Sequence, residues 1–332
     1  MTAARRADRR IVLRADASRA HGYGHVARLT ALADEIRARG GGVTPLFGDD
    51  ITGVAWSTDA ALEAATAQGV TAVVVDGPQL VAELAPALIA RGVPTIVVDD
   101  NGSCPHECAA IVNHNPHAAE LASTYAQSSQ LLLGRRYALL RASVTRYAHG
   151  QCRPKPRPRL RVAITFGGSD PPDATSRALR LLPSERSLDV VAIAGPGYAH
   201  HAALHAAALV AESRGHAVEI CVAPEDPAAW FVVVDTAISA AGGTLGELAY
   251  LGCPALAFAI APDQIAPARY QARHGCVAGG HAWRTLSDAA VTAELRAFLV
   301  DDAARAALRE RALATIDGSG AARVVDAALA LG

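Results

Sequence analysis

Short apolar runs of strand length alternate with longer alanine-rich segments of helical spacing along most of the chain, and few folds can accommodate that alternation. Arg10 to Arg14, Val43–Phe47, Thr71–Val75 and Pro94–Val98 read as strands. His25 to Arg39 places Val26, Leu29, Leu32, Ala33 and Ile36 on one helical face, and Gly40–Gly42 stops it. Helix-like segments near Asp59–Gln68 and Gln79–Arg91 fill the gaps between the later strands. Strand, helix, strand at this spacing predicts a parallel sheet covered by helices. Ala109–Asn113 and Gln130–Leu133 are candidates to complete that sheet.

The pattern breaks once. His149 to Pro158 carries Pro154, Pro156 and Pro158 among Arg153, Lys155 and Arg157, a composition that fits neither a helix nor a sheet. A stiff solvated spacer at 149–159 is expected, separating a first domain over 1–148 from a second over 160–332. The second half restarts with Leu160–Phe166 and continues through strands near Leu188–Ala194, Val218–Val222, Phe231–Ile238 and Pro254–Phe258. Helices are expected near Asp173–Leu182, Ala199–Arg214, Thr244–Tyr250 and Gln264–His274, followed by Ser287–Val300 and Ala303–Leu331. The architecture expected is two α/β domains with a cleft between them, with ligands outside the carboxyl ends of the strands.

The turn Ser239-Ala240-Ala241-Gly242-Gly243-Thr244-Leu245-Gly246-Glu247 follows a mostly apolar run, Trp230 to Ile238, that reads as one buried strand. Its small residues let backbone N–H groups approach a ligand. Thr244 is the candidate cap of the next helix, whose N-terminus offers donors and a positive dipole end to a phosphate. Glu247, one turn on, is placed to accept hydrogen bonds from a diol such as a ribose. The segment His21-Gly22-Tyr23-Gly24-His25-Val26-Ala27 matches a loose G-x-G-x-x-A pattern, but it does not follow its strand at once, as a dinucleotide-binding turn would.

Composition removes several function classes. A net charge of −1 leaves no overall electrostatic footprint for nucleic acid. Of the 31 lysine and arginine residues only Lys155 is a lysine, and it lies in the proline-rich segment, so P-loop and Schiff-base chemistry lack their residue. No apolar run is long enough for a membrane span and none follows the charged first residues as a signal core would, so a cytoplasmic protein is expected. The 6 cysteines show no disulfide framework. Cys104-Pro105-His106-Glu107-Cys108 has metal-ligand residue types but no second ligand pair, so Cys104, His106 and Cys108 read as loop residues and no metal or cofactor is expected.

Seven motifs occur in order: Arg14-Ala15-Asp16-Ala17-Ser18; Gly22-Tyr23-Gly24-His25-Val26-Ala27-Arg28; Asp99-Asp100; Asn113-His114-Asn115; Tyr137-Ala138-Leu139-Leu140-Arg141; Phe166-Gly167-Gly168-Ser169-Asp170; and Ala241-Gly242-Gly243-Thr244. Together they resemble the UDP-sugar hydrolases of pseudaminic acid synthesis and the spore-coat polysaccharide proteins grouped with them, a family itself similar to the MurG glycosyltransferases. The resemblance runs from about Ile11 to Gly279. It implies a GT-B fold, two Rossmann-like domains with parallel sheets facing an interdomain cleft, with UDP held mainly by the C-terminal domain and no metal required. Gly168 and Ser169 would line the diphosphate site, Gly242, Gly243 and Thr244 would meet the phosphates, Glu247 the ribose and Gln264 the donor sugar. His25 matches the catalytic base, with Asp16, Gly22, Gly24 and Arg28 as substrate-binding neighbours.

The chain departs from that family around the sugar. Gly77-Pro78 follows Asp76 where an aromatic or His-Tyr pair is usual, His21 replaces a hydrophobic residue, and Asp263-Gln264 replaces Asn-Gln, which puts a carboxylate beside the donor site. The function expected is therefore inverting transfer from a UDP-sugar to a small acceptor, such as an amine or nucleobase, in a cell-surface sugar or natural-product pathway. His25 is the expected base and Asp263 its helper. Hydrolysis, with water as the acceptor, is the rival. Arg14, Arg28 and Arg141 are candidate partners for an acidic sugar.

Overall fold

The computed structural model of the chain describes residues 9–17, 23–49, 52–152 and 157–331. It divides into two compact units, residues 1–142 with 318–332, and residues 143–317.

In the first unit β1 (Arg10–Ala17), β2 (Gly42–Asp49), β3 (Val70–Asp76), β4 (Thr95–Val98), β5 (Ala110–Asn113) and β6 (Gln130–Leu133) form one sheet in the order β2-β1-β3-β4-β5-β6. Every pairing is parallel. Alternating residues serve two cores, as the two-residue period of a strand requires. Ile11, Leu13 and Ala15 face the helix Gly24–Ala38, whereas Val12, Val73 and Val75 face the helices Thr58–Thr66 and Pro78–Ala90. The chain runs from β1 outward to β2 and then back across to β3. The strand order thus reverses between β1 and β3, the place where open α/β sheets bind ligands.

The second unit repeats the plan with β7 (Leu160–Thr165), β8 (Leu188–Ala194), β9 (Ala217–Val222), β10 (Thr236–Ala240), β11 (Ala255–Ala259) and β12 (Ala278–Ala282). Their order is β12-β11-β10-β7-β8-β9, again parallel throughout. Here the order reverses between β7 and β10. Phe166, Phe258 and Trp283 pack together at the carboxyl end of this sheet, with Trp283 lying 4.9 Å from Phe258 and 5.1 Å from Phe166 between ring centroids. They fix the point where β7 gives way to its glycine turn.

Three local expectations change. The apolar run from Trp230 to Ile238 is not one strand: Ala228–Phe231 is a short helix and only Thr236–Ala240 joins the sheet, because Asp235 accepts from the Arg161 N–H and sets the register there. β12, reading Ala-Gly-Gly-His-Ala, lacks the apolar signature of a strand and was not anticipated. The long helical stretch expected over Ala303–Leu331 is two helices, Asp302–Leu313 and Gly320–Ala330, parted at Gly318 with φ +82°.

The expected division at 1–148, 149–159 and 160–332 differs from the compact units at both ends. Ala321, Val324, Val325, Ala327 and Ala328 belong to the first unit's core with Leu29, Leu32 and Ile36, so the last helix returns to the sheet on which the chain began. Within the proline-rich segment, residues 153–156 lie outside the described residues. Just before them, the Cys152 N–H donates to the Leu251 carbonyl (2.8 Å), and Arg309 donates to the carbonyls of Gly150 and Cys152, tying 150–152 into the second unit. Among the described residues, no helix is long and apolar enough to cross a membrane.

Candidate functional site

Each unit gathers some of the expected residues near the reversal point of its own sheet. In the first, His25 enters on the opening turn of the helix after β1, and Asp76 is the last residue of β3, the neighbouring strand. His25 Nδ1 lies 2.8 Å from Asp76 Oδ1. Asp76 is fully buried. Burial would raise its pKa, but the Arg28 guanidinium and His25 outweigh that and hold it below the ordinary carboxylate range. An ionised carboxylate only accepts, so His25 donates from Nδ1 and its Nε2 keeps a lone pair. Arg28 Nη2 lies 2.9 Å from the same Nδ1, with both groups directing their protons to Asp76.

Arg28, one turn further along the helix, binds both strand-end carboxylates. Its Nε and Nη2 donate to Asp76, and its Nη1 and Nη2 donate to Asp100 at 3.0 and 2.8 Å. Burial lowers the Arg28 pKa, yet Asp100 and Asp76 more than reverse this and lock the guanidinium in its charged form. Asp100 is held well below the usual carboxylate range: burial opposes ionisation, and Arg28 overcomes it. Asp100 also accepts from the Asn115 amide at 2.8 Å. His114 Nε2 accepts from Arg28 Nη1 at 3.1 Å, and burial together with the Arg28 charge pushes the His114 pKa down to about 4.

At neutral pH this cluster therefore holds two carboxylates, one guanidinium and a neutral His114. With His25 neutral its charge is negative by one, and a proton on His25 balances it. Beside it lies a cavity of about 210 Å³, walled by Pro78, Val81, Ala82 and Val98 and reached by His25 and Arg28.

The second unit's two glycine turns leave β7 and β10, the paired strands of its reversal point. They are not equivalent. After β7, Asp170 accepts the N–H groups of Ala174 (2.8 Å) and Thr175 (2.9 Å) and so occupies the N-terminus of the helix Ala174–Arg180. A Cβ on Gly195 would lie 2.4 Å from the Gly168 Cα, so the next loop packs directly on this turn. After β10, the helix Thr244–Leu251 begins with Gly243 at its N-cap position and no side-chain cap. The expected capping by Thr244 is therefore corrected: Thr244 is already the first helical residue, past the position from which a hydroxyl can cap.

Gly242 and Gly243 have negative φ, and a Cβ on Gly243 would meet no atom within 4 Å. A Cβ on Gly242 would meet only the Gln264 amide nitrogen, at 3.5 Å. The Ile260 N–H donates to Gln264 Oε1 (3.0 Å), which turns the amide's N–H donors toward the glycine turn. Glu247 is buried one turn into the same helix.

The expected site residues thus fall into two groups. His25 and Arg28 meet in the first unit, and Gly242, Gly243, Thr244, Glu247 and Gln264 lie together in the second, with Gly168 and Ser169 in the turn after the adjoining strand β7. Asp16 is bound by Arg14 (Nη2 to Oδ2, 2.9 Å), Gly24 opens the helix with open space at its Cβ position, and Asp263 is exposed on a single turn before the helix Ile265–Arg273. Gly22 lies outside the described residues. The sequence reading missed Asp76, Asp100 and His114 as members of one cluster, although each stands at or just past a strand's carboxyl end. Among the described residues, no group of three or more His, Cys, Asp or Glu is arranged to hold a metal ion.

No protein-family model matches the sequence, and no curated protein matches it. Solved structures do match over nearly the whole chain. MurG of Acinetobacter baumannii is 15% identical over 97% of this chain and 99% of its own, with a TM-score of 0.68. MnaA of S. aureus, in a co-structure with UDP, is 11% identical over 96% and 95%, with a TM-score of 0.64. The glycosyltransferase SnogD of Streptomyces nogalater is 18% identical over 96% and 99%, with a TM-score of 0.61. The chain thus shares the two-sheet GT-B fold of these proteins.

Proposed function

We propose that the protein transfers a sugar, with inversion, from a UDP-sugar to a small uncharged acceptor. The observation that carries the reading is the His25–Asp76 pair, which leaves a bare imidazole nitrogen at the reversal point of the first sheet. His25 Nε2 takes the acceptor's proton as its oxygen or nitrogen attacks the anomeric carbon. Asp76 fixes the tautomer and offsets the charge that forms on the ring. The departing UDP carries its new negative charge to the uncapped N-terminus of the helix Thr244–Leu251, with Glu247 on the ribose and the Gln264 amide on the sugar or phosphate.

Two further features support this assignment. Neither backbone conformation nor packing demands glycine at Gly243, whereas close approach of a diphosphate would. MurG, SnogD and the UDP-bound MnaA share the fold. Among possible acceptors, an anionic one is disfavoured by the negative cluster of Asp76, Asp100 and Arg28, and the Val81, Ala82 and Val98 wall of the cavity suits an apolar body. Asp263 remains the candidate helper, and Asp16 and Gly24 candidate substrate contacts.

The test is UDP release from a panel of UDP-sugars, with and without a pool of small hydroxyl and amine acceptors. Transfer predicts UDP only when an acceptor is present, a new glycoside by mass, and a loss of about 10²–10⁴-fold in His25→Ala. UDP accompanied by free sugar in the absence of acceptor would instead establish the hydrolysis of the pseudaminic-type family.

A further inference from the structure

Cys104 and Cys108 lie on the loop after β4, and this juxtaposition is used by none of the chemistry above. Their Sγ atoms are 3.7 Å apart, and both side chains are buried. The contact is not one that a regular helix brings about. The chain turns back at Pro105 and His106, with the Cys108 N–H on the His106 carbonyl at 2.9 Å. Asp99 anchors the near side of the turn by accepting from the N–H groups of Asn101 (2.8 Å), Ser103 (2.7 Å) and Cys104 (2.6 Å). Cys104, Pro105 and His106 line the same cavity as His25 and Arg28, whereas Cys108 is not among its lining residues. A small solute entering the cavity therefore reaches Cys104 first.

We propose that Cys104 and Cys108 form a reversible disulfide in the wall of this cavity, with a peroxide or a small-molecule disulfide as oxidant. With a peroxide, the Cys104 thiolate attacks one oxygen and breaks the O–O bond, giving a sulfenic acid and hydroxide, which takes up the proton the Cys104 thiol had released and leaves as water. Cys108 sulfur then attacks the Cys104 sulfur, its thiol proton joins the departing hydroxide, and a second water leaves. Two thiols are oxidised and one peroxide is reduced. With a small-molecule disulfide, Cys104 displaces one thiol to form a mixed disulfide, and Cys108 displaces the other. Excess thiol reverses either route.

The Cys108 S–H stabilises the Cys104 thiolate by hydrogen bonding and lowers its pKa, the direction an attacking sulfur needs. Closing the bond shortens the Sγ–Sγ separation from 3.7 Å to about 2.05 Å, a movement within reach of side-chain rotation and a small shift of the turn. The reduced and oxidised forms then present different walls beside His25.

The experiment treats the full-length protein with hydrogen peroxide, and separately with oxidised glutathione, then quenches it in acid, denatures it, alkylates it and digests it with trypsin. Both cysteines fall in the tryptic peptide 92–135. The expected result is that this peptide loses the mass of two hydrogens, resists alkylation, and regains both alkylation sites after dithiothreitol. Cys108→Ser should instead accumulate a mixed disulfide with glutathione on Cys104, and Cys104→Ser should abolish both products. The proposal is overturned if Cys104 and Cys108 both remain alkylatable at oxidant doses that consume the half-buried Cys221 and Cys276, if either pairs elsewhere, or if the Cys108→Ser protein takes up no glutathione at Cys104.

Discussion

Arg28 is the residue on which the first unit's chemistry turns, because one guanidinium pairs with two carboxylates, Asp76 and Asp100, and touches two imidazoles. Asp76→Asn removes the charge that holds the His25 tautomer, so turnover should fall about 10²–10⁴-fold with little change in KM for the UDP-sugar, measured by steady-state UDP release. His114 gives a separate, pH-dependent signature. Its pKa is depressed from 6.5 to about 4, so between those values the unfolded chain binds a proton that the folded one refuses. Stability contributed by the neutral ring is complete above pH 6.5 and is lost as pH falls toward 4, amounting to roughly 3 kcal/mol at most. Urea unfolding should show that decline in the wild type and a flatter profile over the same window in His114→Gln, while the losses due to Asp76 and Asp100 come at lower pH.

At the scale of elements, the two glycine turns of the second unit make opposite predictions. Gly243 stands at a helix start with open space in front of it, so Gly243→Ala should leave unfolding unchanged or raise stability by up to about 1 kcal/mol. The same variant should weaken UDP binding at least tenfold by calorimetry if phosphate approaches that backbone. Gly195 packs on the turn after β7, where a Cβ would overlap the Gly168 Cα and the Gly167 carbonyl. Gly195→Ala should therefore cost about 1–3 kcal/mol by chemical denaturation, whatever the ligand. A stable Gly243→Ala protein that binds UDP normally would remove the phosphate from this helix.

For the molecule as a whole, the last helix is the element whose place decides which residues fold together. A chain ending at residue 317 loses Val324, Val325 and Ala328 from the first unit's core, so thermal unfolding should lose stability in the transition of the first unit and leave that of the second in place. Strand and helix alternation and the two glycine turns were all legible beforehand, because strand and helix periods record which face of each element leaves water, and that record is local. The late start of β10 at Thr236, the uncapped start at Thr244 and the weakly apolar β12 were not, since hydrogen bonding to neighbouring chain segments settled them. His25, Arg28, Gly242, Gly243 and Gln264 stood out only because the motifs that carry them resemble those of the pseudaminic-type hydrolase family. Asp76, Asp100 and His114 stand 48, 72 and 86 positions from Arg28, and no local period links them. Folding alone brought them together, because a sheet whose order reverses at β1 and β3 sets distant strand ends side by side, and a buried guanidinium is tolerated only where carboxylates surround it.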